Sequence, residues 1–188
     1  MRTRLARSLA LVATVLGLIA GMAVPASANN SEKYNGLNIH WNRVGTSLAQ
    51  VYFVDTTPAR WPVNSSVVTW NSSSRVKSYY VTSCPNSTVN CVVVSEYSST
   101  TDGFYGYTQF QPVMADSNGH IRKAVSVHLN KAVNTGAADD RQTVCQETGH
   151  VLGLDHQYQP DTCMSDATHN VKYPNTHDYN QLAAVYNH

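Results

Sequence analysis

The sequence predicts an α+β domain, and three observations carry that expectation. Short β-branched and aromatic runs separated by turn residues fill much of the chain, one apolar stripe of helical spacing interrupts them, and the period turns helical again only towards the end. Leu48–Val54 reads as the first strand, stopped by Asp55-Thr-Thr-Pro58. Pro62 suits a first helical turn, and Val63, Val67 and Trp70 then recur on one face, predicting a short helix on a sheet that ends within 71–74. The runs 76–82 and 91–97 flank a polar turn bounded by Cys84 and Cys91 and read as a hairpin or as neighbouring strands. Gly103–Pro112 mixes aromatics with glycine and ends in proline, which suits an edge strand. Asn118-Gly119 marks a tight turn, and Ile121–Leu129, alternating at Val125, Val127 and Leu129, is the last strand. After a loop over 134–140, Asp139 or Asp140 can cap a helix running through Leu152, where Gly153 stops it. A final helix, capped by Thr176 or Asp178, carries Leu182, Val185 and Tyr186 inward.

The ends and the composition bound the function. Arg2, Arg4 and Arg7 precede the apolar run Leu9–Val24 and the small-residue site Ala26-Ser27-Ala28, which predicts a secretory signal peptide over 1–28 and a mature domain over 29–188. That run is short for a bilayer span of about 30 Å, and no later run is longer, so no stable membrane association is expected after cleavage. Of the 188 residues 42% are hydrophobic, enough for one core, while only 13% are charged. Removing 1–28 takes three arginines and no acid, turning a net charge of +1 into −2 and arguing against nucleic acid as a partner. A secreted monomer is expected. In an oxidising compartment the four cysteines belong in disulfides. The ends of the short Cys84–Cys91 turn must already meet, which leaves Cys145 with Cys163, each closure contributing about 2 to 3 kcal/mol. The competing reading makes Cys145 and Cys163 zinc thiolates.

One segment concentrates ligand-type side chains: Cys145-Gln-Glu-Thr-Gly-His-Val-Leu-Gly-Leu-Asp-His156. On a helix Gln146 and His150 lie one turn apart on one face, with Glu147 beside it. Gly153 can turn the chain sharply and swing His156 back towards the same point. Three donors with a carboxylate at their edge match catalytic zinc, which keeps an open position for water. His40, His120, His128 and His188 show no ligand spacing and read as ordinary polar residues.

The pattern Glu147-x-x-His150-x-x-Gly153-x-x-His156 resembles the extended zinc signature of the metzincin metallopeptidases, which has histidine where this chain has Gln146. Cys163-Met164, eight residues after His156, looks like the methionine turn of that family. The likeness spans most of 48–187 and is greatest to small secreted bacterial matrixin-like and snapalysin-like proteins. It implies a metzincin-like domain: a twisted mixed sheet, an early helix, the site helix, the methionine turn and a terminal helix. It also implies a secreted zinc metalloendopeptidase acting on protein or peptide substrates. His150, His156 and Gln146 would hold Zn2+, and Glu147 would take the proton of the metal's water and later protonate the leaving amine. Met164 would pack beneath the metal, and substrate would extend along Gly106, Tyr107 and their neighbours, with Tyr173 and Pro174 forming a side-chain pocket wall.

Position 146 admits three readings. A neutral amide oxygen is a poorer zinc donor than imidazole, so Gln146 serves as third ligand, or zinc sits on His150 and His156 with water or another residue, or the site holds no metal. Asp155, His169 and His177 are the possible substitutes. Two rivals compete with the enzyme: a metzincin-like scaffold that has lost catalysis and binds partners, and an unrelated β-rich module using its 11 tyrosines and three tryptophans for recognition.

Overall fold

The computed structural model describes residues 31–43, 47–85, 90–112, 114–166 and 170–188; the segment read as a signal peptide and His169 lie outside them. The described residues open with an arm that no periodicity announces beyond its Asn-Gly pair. Asn35 and Gly36 take positive φ values of 52° and 80° and turn β1 (Lys33–Tyr34) onto β2 (Leu37–Asn38). There follow β3 (Ala49–Asp55), α1 (Val63–Thr69) with a 3-10 turn to Ser72, β4 (Val76–Val81), β5 (Cys91–Tyr97), β6 (Gly106–Phe110), β7 (Val125–Asn130), α2 (Ala137–Val151) and α3 (Thr176–Val185).

The five longer strands form one mixed sheet in the order β4-β3-β5-β7-β6, so the protein is α+β. β6 is the expected edge strand and runs antiparallel to β7, while the other pairings are parallel. β4 and β5 form neither the expected hairpin nor a pair of neighbouring strands. Both run parallel to β3 and flank it, so that β3, whose Ala49, Val51 and Phe53 form a fully buried face, has a paired strand on each edge. The register permits the short connection. Val81 lies level with Val54 but Cys91 with Tyr52, so the chain returns by only two residue levels, about 7 Å, before starting β5.

Three further expectations are corrected. β7 starts at Val125, and Ile121 instead makes an isolated bridge with Ala115. Gly136 precedes the first turn of α2 with no side-chain cap, placing Asp139 and Asp140 inside that turn, where the helix dipole favours them. α3 is capped by Asn175 in a reciprocal box with Asp178, whose carboxylate accepts from Asn175 N at 2.8 Å.

Val63, Val67 and Trp70 do face the core from α1, and Leu182, Val185 and Tyr186 do so at the end of α3. All three tryptophans are buried, and each indole N–H is satisfied: Trp41 donates to Val151 O at 2.8 Å, Trp61 to Glu96 Oε2 at 2.8 Å and Trp70 to Cys145 O at 3.1 Å. Two of these acceptors belong to α2, so the indoles fix that helix along its length. Both expected disulfides are formed, Cys84–Cys91 and Cys145–Cys163, and the second ties the middle of α2 to the segment before α3. Among the described residues no helix is long and apolar enough to cross a membrane.

Candidate functional site

α2 ends in the geometry its sequence calls for. Gly153 sits at φ 98°, its N–H bonds His150 O at 2.9 Å, and Leu154 N–H bonds Gly149 O at 3.0 Å, the paired bonds of a Schellman motif. A side chain at 153 would run into Ile39 O, so the left-handed turn and the docked arm both require glycine. The turn brings His156 back, and the His150 and His156 ring centroids lie 4.5 Å apart.

A cleft of about 200 Å³ opens beside β6, lined by Gly106, Tyr107, Thr108, Glu147, His150 and His156, with Glu32, Phe104 and Asp155 at its borders. Nδ1 of His150 donates to Leu154 O at 2.8 Å and lies 3.2 Å from Glu32 Oε1, so Nε2 is the nitrogen that could hold a metal. Nδ1 of His156 pairs with Asp166 Oδ2 at 2.8 Å, and its backbone N–H donates to Asp155 Oδ1 at 2.7 Å. Glu147 is 4% exposed, and its carboxylate accepts from Thr108 Oγ1 at 2.8 Å. Burial raises its pKa above the ordinary carboxylate value against the pull of His150 and Thr108. Burial also opposes charge on His150, but Glu32 and Glu147 outweigh it and carry the imidazole up to about 9.

The other expected site residues lie elsewhere. Gln146 donates through Nε2 to Ser165 O at 3.4 Å and lines a neighbouring cavity of about 100 Å³ with Tyr105, Gln142 and Asp166. Met164 is fully buried against Gly149, under the site helix. Tyr173 lies 5.1 Å over the Arg141 guanidinium and does not line the cleft. Neither does His177, which borders a separate pocket with Asp161 and Asn175. Cys145 and Cys163 are joined to each other, so they are not zinc thiolates. Gly106 has a packing reason for lacking a side chain: a Cβ would lie 2.8 Å from Thr143 Cγ2 and 3.2 Å from Glu147 Cγ.

Sequence spacing does not reveal Glu32, Thr108 or Asp166. Thr108 sits one alternation beyond Gly106 on β6, a position that can be read once that strand is placed beside α2. Glu32 arrives through the arm: Glu32 N–H bonds Gly153 O at 3.0 Å, and Ser31 bridges Leu154. Its only sequence signal is the Asn35-Gly36 hairpin beyond it.

The donor set suits a borderline divalent cation. The His150 and His156 rings lie 4.5 Å apart in a cleft that also holds the Glu32 and Glu147 carboxyls, donor types that could hold such an ion. Among solved structures the chain is similar to high choriolytic enzyme 1 (HCE-1), a hatching enzyme zinc-protease from Oryzias latipes (Medaka fish). The identity is 11% and the TM-score 0.49, over 84% of this chain and 99% of that one. No protein-family model matches the chain, and no curated protein sequence does.

Proposed function

We propose that the protein is a secreted, monomeric zinc-dependent endopeptidase that hydrolyses internal bonds of protein or peptide substrates. One observation carries the reading: a buried carboxyl, Glu147, and the imidazoles of His150 and His156 share a single cleft beside an exposed sheet edge. His150 and His156 would hold the ion. Gln146, which donates to Ser165 O, would have to leave that contact to join them. Bound zinc supplies a Lewis acid that activates water and polarises the peptide carbonyl. Glu147, kept in place by Thr108, takes the proton of the attacking water and returns it to the departing amine, a transfer that a raised carboxyl pKa favours. The outer edge of β6 offers unpaired main-chain groups along which an extended substrate can lie. The positive n-region with its small-residue cleavage site supports export, and two disulfides suit an oxidising compartment.

The test is cleavage of an unfolded protein by the purified chain, with metal measured in parallel. Glu147→Ala and chelation are each expected to abolish cleavage, and Gln146→His to tighten zinc retention. Proteolysis that survives both treatments refutes the mechanism. Gln146 turned onto Ser165 O favours a second reading, a scaffold that binds partners without catalysis, which predicts no cleavage whatever metal is supplied.

A further inference from the structure

We infer that His40, His120 and His188 form a second transition-metal site, selective for zinc or a similar borderline divalent ion, outside the cleft. The sequence reading of these residues as ordinary polar groups misses the site because its members come from three distant segments. The arm, the turn before Ile121 and the residues beyond α3 meet so that the three ligating nitrogens lie within 4.8 Å of one another. None of the three residues lines the cleft.

Backbone pairing holds the first two rings. His40 N–H bonds Gly119 O at 3.0 Å and Ile121 N–H bonds His40 O at 2.7 Å, so the two segments are bridged as a short parallel ladder. Gly119, at φ 84°, packs so closely on Asn38 that any side chain would collide with its carbonyl. The rings are placed accordingly: His40 and His120 centroids are 4.9 Å apart, and His40 and His188 are 4.4 Å apart.

Hydrogen bonding then fixes which nitrogens face inward. Nδ1 of His40 lies 3.0 Å from Asn38 O, and a carbonyl only accepts, so that nitrogen carries the proton and Nε2 is left with a lone pair. His40 is 5% exposed, and its Nε2 is buried with no hydrogen-bond partner, an arrangement that native cores avoid unless something occupies it. Nδ1 of His120 likewise faces Asp116 Oδ2 at 3.3 Å, the carboxylate–histidine arrangement that orients a metal ligand. Asp116 is itself held by Arg122 at 2.7 Å. Nε2 of His120 and Nε2 of His188 are 3.3 Å apart. That is the edge of a tetrahedron whose metal–nitrogen bonds are about 2.0 to 2.1 Å.

Zinc alone is the probe. With the cleft ligands removed in His150→Ala/His156→Ala, the chain should still bind one equivalent of zinc and melt at a higher temperature when zinc is added. Long-range 1H–15N spectra should show the Nε2 resonances of His40, His120 and His188 moving on zinc addition, while Nδ1 of His40 and His120 keeps its proton. His188→Ala, at an exposed position, and separately His120→Ala should abolish the binding. Absence of zinc binding in a folded cleft variant overturns the proposal, as does binding that survives His188→Ala. If the cleft variant does not fold, the unmodified chain decides: His188→Ala should remove one equivalent of zinc, and an unchanged stoichiometry refutes the site.

Discussion

Gly149→Ala tests whether the site helix is seated on Met164. A methyl group there would strike Met164 Sδ and come within 2.9 Å of Trp70 Cζ2 and 3.0 Å of Met164 Cε. The thioether can rotate, but Met164 is fully buried, and the Trp70 ring is held by its bond to Cys145 O. Overpacking of this kind costs about 1 to 3 kcal/mol, and the better helix propensity of alanine returns up to about 1 kcal/mol. A net loss of roughly 1 kcal/mol, or a melting temperature lower by about 2 to 4 °C, is therefore expected. Met164→Ala alone should cost about 2 to 5 kcal/mol by leaving a cavity. Combined with Gly149→Ala the new methyl group fills part of that cavity, so the double variant should be more stable than the sum of the two losses by about 1 to 3 kcal/mol. Urea unfolding with the disulfides intact measures all three variants. Strict additivity, or a neutral Gly149→Ala, would show that the glycine is not needed for this contact.

The remaining predictions concern the frame around the cleft. Cys145→Ser/Cys163→Ser opens a loop of sequence separation 18 and should lower stability by about 3 kcal/mol in urea; no change would show that α2 is held without the crosslink. Glu96 accepts from Trp61 Nε1 and pairs with Lys131 at 3.1 Å, which holds its carboxyl below the ordinary carboxylate value. A depressed acid contributes stability above its unfolded pKa and loses it as the pH falls through the folded one, so melting temperatures at pH 7 and pH 3 (roughly one unit below the ordinary glutamate pKa of about 4.3) should differ less in Glu96→Gln than in the unmodified chain. An identical acid loss in both proteins refutes that role.

What the sequence makes legible is what one element or one turn decides. The stripe of α1, the stop at Gly153, the edge character of β6 and the Cys84–Cys91 disulfide come from local spacing, Cys145–Cys163 follows by elimination, and the structure contains each of them. Errors arise where two choices are locally equivalent. A cysteine-bounded turn between two apolar runs is compatible with a hairpin or with a crossing over β3, and only the pairing of β3 on both edges selects the crossing. Likewise Asp139, Asp140, Thr176 and Asp178 are all competent cap residues, and the helix starts chosen in the fold depend on where the preceding chain arrives.

The harder omissions share one cause, the arm before β3. Its alternation is too short to register as a strand, yet its backbone docks twice on glycines. Gly153 accepts Glu32 N–H and lies against Ile39 O, and Gly119 lies against Asn38 O and accepts His40 N–H. The first contact carries the Glu32 carboxylate to His150, and the second sets the His40 imidazole beside His120. Between those contacts lie two two-residue strands and their turn. Any change that lifts the arm must therefore disturb the charge at the cleft and the geometry of the histidine cluster together. Helical spacing cannot expose this coupling, because its partners are main-chain carbonyls and the chain separation runs from about eighty residues for His40 and His120 to more than one hundred for Glu32 and His150.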